Sequence, residues 1–149
     1  MIRNVFRHAC WATCLALLAL TAQADQFERY GDLEVHYIVF NTTDLDPEIA
    51  ARYGIVRDPS RALVNIAGRR VAAAGTTTAV PLAIEGTVEN LLGQKLPLAF
   101  QEVREPGAIY YLATLDFTDR ETLRFALALR DLERNDTHRL AFQKALWVQ

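Results

Sequence analysis

Few side chains in this 149-residue chain have the type and spacing for chemistry. Ser60 is the only serine. It lies in Asp58-Pro59-Ser60-Arg61, a type I turn composition and not the G-x-S-x-G elbow that exposes a hydrolase nucleophile. His36 and His138 are far apart in sequence, with no H-E-x-x-H or paired spacing. They could meet in space as a metal pair or general base, or simply face solvent on strands. Asp44-Leu45-Asp46-Pro47-Glu48 imitates the start of a calcium loop, but Ile49 stands where the sixth-position glycine is required and Ile55 where the closing glutamate is required. Helix capping accounts for those acids more simply. No metal or other cofactor is expected. A glycosidase needs two carboxylates at working distance, and 18 acidic residues hide any such pair. Tyr110-Tyr111 invites sugar stacking, yet adjacent strand residues point to opposite faces, so only one ring can reach solvent.

The elements that must hold these residues read as strands. Leu33, Val35, Tyr37 and Val39 alternate with Glu34, His36 and Ile38. Arg61 to Ala67 is a short apolar run. Leu82, Ile84, Gly86 and Val88 alternate with polar residues up to an Asn90-Leu91-Leu92-Gly93 turn. Leu96, Leu98 and Phe100 continue the alternation, with Pro97 marking an edge or a bulge. Glu105-Pro106-Gly107 is a turn. Ile109, Tyr111, Ala113 and Leu115 share one face, as do Leu123, Phe125, Leu127 and Leu129. Leu140, Phe142 and Leu146 close the chain, and Gln26 to Tyr30 can add a first strand. Gly68 to Thr78, which carries Arg69-Arg70, reads as a mobile hairpin tip. These signals predict an all-β fold: an immunoglobulin-like antiparallel β-sandwich of seven or eight strands, with a small barrel as the alternative.

One helix interrupts the pattern, in the long connection from Asn41 to Ser60. Asp46 can cap it, Pro47 suits its first position and Gly54 its stop. Ile49 and Tyr53 then share one face, while Glu48 and Arg52 share an adjacent one. The apolar residues of this connection are expected to tie it over one end of the sandwich. Arg52, Tyr53 and Arg57 are the candidate binding residues, since arginine and tyrosine are enriched at binding hot spots. The segment can equally be a plug for the core.

The N-terminus predicts export. Arg3 and Arg7 precede an apolar run from Ala9 to Leu20, followed by the small-x-small site Ala22-Gln23-Ala24. Residues 1–24 read as a signal peptide, rather than an uncleaved anchor, and 25–149 as a single domain. Cleavage removes both cysteines, Cys10 and Cys14, so no disulfide supports the mature fold. It also removes two of the 16 basic residues and none of the 18 acidic ones, taking the net charge from −2 to −4. That balance argues against nucleic-acid partners, and no second apolar stretch is long enough for membrane insertion.

Phe40-Asn41-Thr42, Pro47-Glu48-Ile49-Ala50, Tyr53-Gly54-Ile55 and Ala62 to Ile66 resemble the domain of unknown function 4426 family, small exported proteins of Gram-negative bacteria. Gly86-Thr87-Val88, Asn90-Leu91-Leu92-Gly93, Val103-Arg104-Glu105 and Ile109-Tyr110-Tyr111 extend the resemblance over nearly the whole mature chain. The resemblance implies a periplasmic location and a single-domain architecture. It carries no assigned activity, so no site residue transfers. The expected function is a non-catalytic binding or interaction module of the cell envelope, its partner an envelope protein or a cell-wall component. A small envelope hydrolase using carboxylates or histidine is the alternative.

Overall fold

The computed structural model describes residues 26–149; the expected signal peptide, with Cys10 and Cys14, lies outside the described residues. Ten strands form two antiparallel sheets packed face to face. The strands are β1 (Phe27–Tyr30), β2 (Leu33–Asn41), β3 (Arg61–Val71), β4 (Thr77–Val80), β5 (Leu82–Glu89), β6 (Lys95–Leu98), β7 (Gln101–Glu105), β8 (Ala108–Asp116), β9 (Glu121–Asp131) and β10 (Thr137–Leu146). The first sheet runs β1-β2-β3-β8-β7, with β4 also paired to β3; the second runs β10-β9-β5-β6.

The strand count exceeds the seven or eight expected, for two reasons. Arg69 to Val71 continue β3, so only residues 72–76 form the tip of a hairpin to β4. The alternation through Leu96, Leu98 and Phe100 is not one strand: the chain leaves the second sheet after Leu98 and enters the first at Gln101. Pro97 lies on β6, an edge strand, where a missing N–H costs no ladder bond.

The inward faces follow the alternation. Val35, Val64, Ile66 and Tyr111 of the first sheet meet Val88, Phe125, Leu127 and Leu140 of the second. Phe125 stacks on Phe142 with ring centroids 4.7 Å apart, and Tyr37 covers Phe142 from the other sheet at 4.5 Å. Gly86 has a packing reason: a Cβ there would lie 2.2 Å from a Leu127 methyl. The Tyr111 hydroxyl bridges the sheets, accepting from the Leu82 amide at 2.8 Å and donating to Glu102 at 3.2 Å.

At one end of the sandwich, the almost wholly buried Asp131 holds Arg70 at 2.5 Å and accepts from the amides of Glu133 and Arg134. Asp32 joins this network through Arg70 and, with both oxygens at 2.7 Å, through Arg134. The connection from Asn41 to Ser60 starts at the opposite end. It contains a 3-10 turn (Thr42–Asp44) and α1 (Pro47–Arg52). No described helix is long and apolar enough to cross a membrane.

Candidate binding groove

β3 carries Leu63, Asn65, Ala67 and Arg69 on its outward face, because Ala62, Val64 and Ile66 point into the core. The registers build a grid around them. Leu63 sits beside Phe40 and Thr114, Asn65 beside Ile38 and Leu112, and Ala67 beside His36. On the far side of β8, Tyr110 is paired with Val103, and Ala108 with Glu105. The lower half of this outward face is therefore apolar, and it needs a cover.

The Asn41–Ser60 connection provides it. Leu45, Tyr53 and Ile55 pack on Leu63, Val103 and Leu112 to form a second, smaller apolar cluster. This corrects the expectation that the connection closes one end of the sandwich: it starts at that end but folds back over the sheet face. The signal was present in Ala62-Leu63-Val64, since an unbroken apolar run marks a strand buried on both faces. Local bonds fix the cover. The Asp46 carboxylate accepts from the amides of Glu48 and Ile49, capping α1, and Gly54 ends it at φ +67°. Thr42, fully buried, donates to the Asp58 carbonyl at 3.1 Å and accepts from the Asp58 amide at 2.9 Å. The Asn41 amide donates to the Trp147 carbonyl at 2.8 Å.

Beyond the cover the sheet face stays open. Ala67 and Ala108 are too small to fill it, so a groove of about 530 Å³ lies over them, walled by His36, Asn65, Arg69 and Tyr110. It adjoins an apolar pocket of about 220 Å³ under the cover, lined by Phe40, Tyr53, Ile55 and Leu112. Asn65 and Tyr110 belong to both. The Asn65 Oδ1 and His36 Nε2 atoms are shut off from solvent without a hydrogen-bond partner among the described residues. Glu34 Oε2 lies 3.4 Å from His36 Nε2, within ion-pair reach but longer than a good hydrogen bond, and Glu34 is also engaged by Arg29. The Arg29 hydrogen bond, against the opposing effect of desolvation, holds the Glu34 carboxyl below its ordinary value.

The sequence candidates separate. Tyr53 lines the apolar pocket and its hydroxyl donates to Glu105, which raises the phenol's pKa. Arg52 is exposed on α1, and Arg57 donates to the Thr43 carbonyl at 2.5 Å, so neither lines the groove. His36 and His138 are held apart: His36 lies against Phe27 and His138 stacks on Tyr30. Ser60 donates to Asp58 within its turn. Asp44 accepts from Gln149 and Asp46 caps α1, so two of the three acids that imitate a calcium loop have structural partners. Among the described residues, no three His, Cys, Asp or Glu side chains converge to hold a metal. Sequence reasoning missed Asn65, Ala67, Arg69 and Ala108. Only Asn65 left a trace, as the one polar residue in the apolar run of β3.

The sequence profile of the domain of unknown function DUF4426 matches residues 27–149. The chain belongs to the DUF4426 family. A crystal structure of a DUF4426 family protein from Pseudomonas aeruginosa PAO1 shares 33% identity with it, at a TM-score of 0.74 over 86% of this chain and 98% of that one. A copper-bound variant of FetP from uropathogenic Escherichia coli strain F11 shares the fold, at 10% identity and a TM-score of 0.57 over 85% of this chain and 92% of that one. FetP as isolated, recombinantly expressed in the periplasm of Escherichia coli, gives 12% identity and a TM-score of 0.54 over 84% and 95%. No curated protein matches the DUF4426 chain in sequence.

Proposed function

We propose that this protein is a non-catalytic binding module of the bacterial periplasm, and that the groove over Ala67 and Ala108 is its binding surface. The observation that carries the reading is the buried Asn65 Oδ1 in the groove wall, without a partner among the described residues, beside His36 Nε2, whose nearest polar group is Glu34 at 3.4 Å. A buried acceptor left unpaired costs about 1–3 kcal/mol, which a ligand donor would recover. An apolar pocket beside a few convergent polar groups is the usual form of a recognition site. Export is supported by the Arg3 to Ala24 sequence pattern and by the periplasmic expression of the FetP relative in fold. The copper of the FetP variant does not extend to this reading, because Glu34 and His36 are only two ligands.

The test is in-cell photo-crosslinking. A photoreactive residue at Gln26 or Ile38, exposed at the edge of the groove, is expected to capture a discrete envelope species. The same residue at Ala128, on the outward face of the second sheet, should not. Equal capture from all three positions would end the reading. The intact mass of the exported protein checks the compartment: it should begin at Asp25, and a product retaining Met1 would show an anchor instead.

A further inference from the structure

Among the described residues no Asp or Glu lines the open groove, although acids outnumber bases in the chain, and Glu105 in the adjoining pocket is engaged by the Tyr53 hydroxyl. Arg69 and Lys144 do line it. Arg69 donates only to Thr77 and to the Gly107 carbonyl, and neither cation has an ion pair among the described residues. Arg69 stands at one end, level with Glu34 of β2. Lys144, on β10 of the second sheet, stands on the side wall between the levels of Tyr37 and Asn41. The end opposite Arg69 is apolar, at the pocket over Leu63. From Leu63 to Arg69 is six residues of extended β3, roughly 20 Å at about 3.3 Å per residue. At the junction the Asn65 Oδ1 is buried, and it reaches a donor in the groove when the carboxamide turns about its soft terminal torsion.

Resting on the binding reading above, we infer that the groove receives an extended acidic peptide segment of a partner protein, about six residues long, with one large apolar side chain at one end. The apolar side chain fills the pocket beside Tyr53. A backbone N–H of the peptide donates to the turned Asn65 Oδ1, its carboxylates meet Arg69, and Lys144 on the side wall adds to their attraction. Two features select a peptide over an acidic glycan. A glycan has no large apolar arm for the 220 Å³ pocket, whereas a peptide offers a backbone N–H at every non-proline residue.

The direction of the chain in the groove is open, so both are tested. The probes are acetyl-Leu-Ala-Ala-Ala-Asp-Glu-amide and acetyl-Glu-Asp-Ala-Ala-Ala-Leu-amide, titrated into the labelled mature protein and followed by amide NMR shifts. One of them is expected to shift Asn65, Ala67, Arg69 and Tyr110, with affinity that falls as salt rises. Replacing its acids with Asn and Gln should weaken binding about tenfold. Lys144→Gln, at an exposed position with no partner, should weaken it severalfold without changing the melting temperature. Ala67→Leu, which fills the floor, should abolish it. The proposal falls if neither peptide shifts these residues at millimolar concentration, if the amide peptides bind as well, or if Ala67→Leu binds normally. Capture from Ile38 in cells alongside failure of both peptides would retain the groove and discard the peptide.

Discussion

Asn65 occupies a position where an apolar residue would pack with less cost. It sits between Ile38 and Leu112 on a sheet face, with its Oδ1 unsatisfied. Replacing it with leucine removes an unpaired acceptor and extends the apolar cluster, so Asn65→Leu should stabilise the fold by about 1 kcal/mol. The same change should eliminate crosslinking from Ile38. Stability bought at the expense of function is the expected signature of a residue kept for recognition. If Asn65→Leu instead lowers the melting temperature and still crosslinks, the carboxamide has a structural role.

The cover over the first sheet is an element held by a few bonds at its base. Thr42 and Asp58 exchange two hydrogen bonds across 16 residues, and both groups are largely shielded from water. Thr42→Val keeps the shape and removes the hydroxyl, leaving the Asp58 amide unpaired while its carbonyl keeps the Arg61 amide. The expected loss is about 1–3 kcal/mol, with hydrogen exchange accelerating first in Leu45 to Val56 and not in β9. Uniform loss of protection would mean that the cover unfolds only with the whole domain. The strands and the cap of this element were legible in the sequence because both depend on neighbours in the chain. Alternation places Ile109, Tyr111 and Ala113 inward, and Asp46 two residues before the Glu48 amide sets the helix start. What the cover packs on was not legible. Leu63 and Leu112 are 49 positions apart, and they share a face only through the pairing of β3 with β8. The groove was hidden for the same reason: Ala67 and Ala108 are unremarkable singly and form a floor only once that pairing is made. The crossing at Ala99-Phe100 preserves the alternation while changing sheets, so periodicity could not show it.

For the whole molecule, the charge network at the far end ties the β1–β2 turn, β3 and the β9–β10 turn together. Burial works to raise the Asp131 carboxyl, but the Arg70 hydrogen bond and the two turn amides outweigh it, and the net value is lowered. The Asp32 carboxyl is lowered chiefly by its hydrogen bond to Arg134. Both groups therefore contribute stability that is complete above their unfolded value near pH 4 and is lost as pH falls through the folded values. Denaturant midpoints should hold from about pH 7 to 5 and drop below about 4. Arg70→Met should cost about 3 kcal/mol at pH 7 by leaving Asp131 buried without its partner, and should flatten the acid limb. An acid limb of unchanged steepness in that variant would place the sensitivity elsewhere.

The Tyr111 hydroxyl that joins the two sheets at Leu82 has a further consequence, for how the molecule is made. Residues 25–149 contain no cysteine, so a hydrogen bond spanning 29 residues stands where many exported sandwiches place a disulfide. A bond of that kind forms and breaks as fast as the chain diffuses. Assembly is then limited by the search for non-local strand pairs, on the order of milliseconds to seconds, and not by thiol oxidation or reshuffling, which takes seconds to hours. The domain can reach its folded form in a reducing or an oxidising compartment alike, and can unfold and refold without any oxidant to restore it.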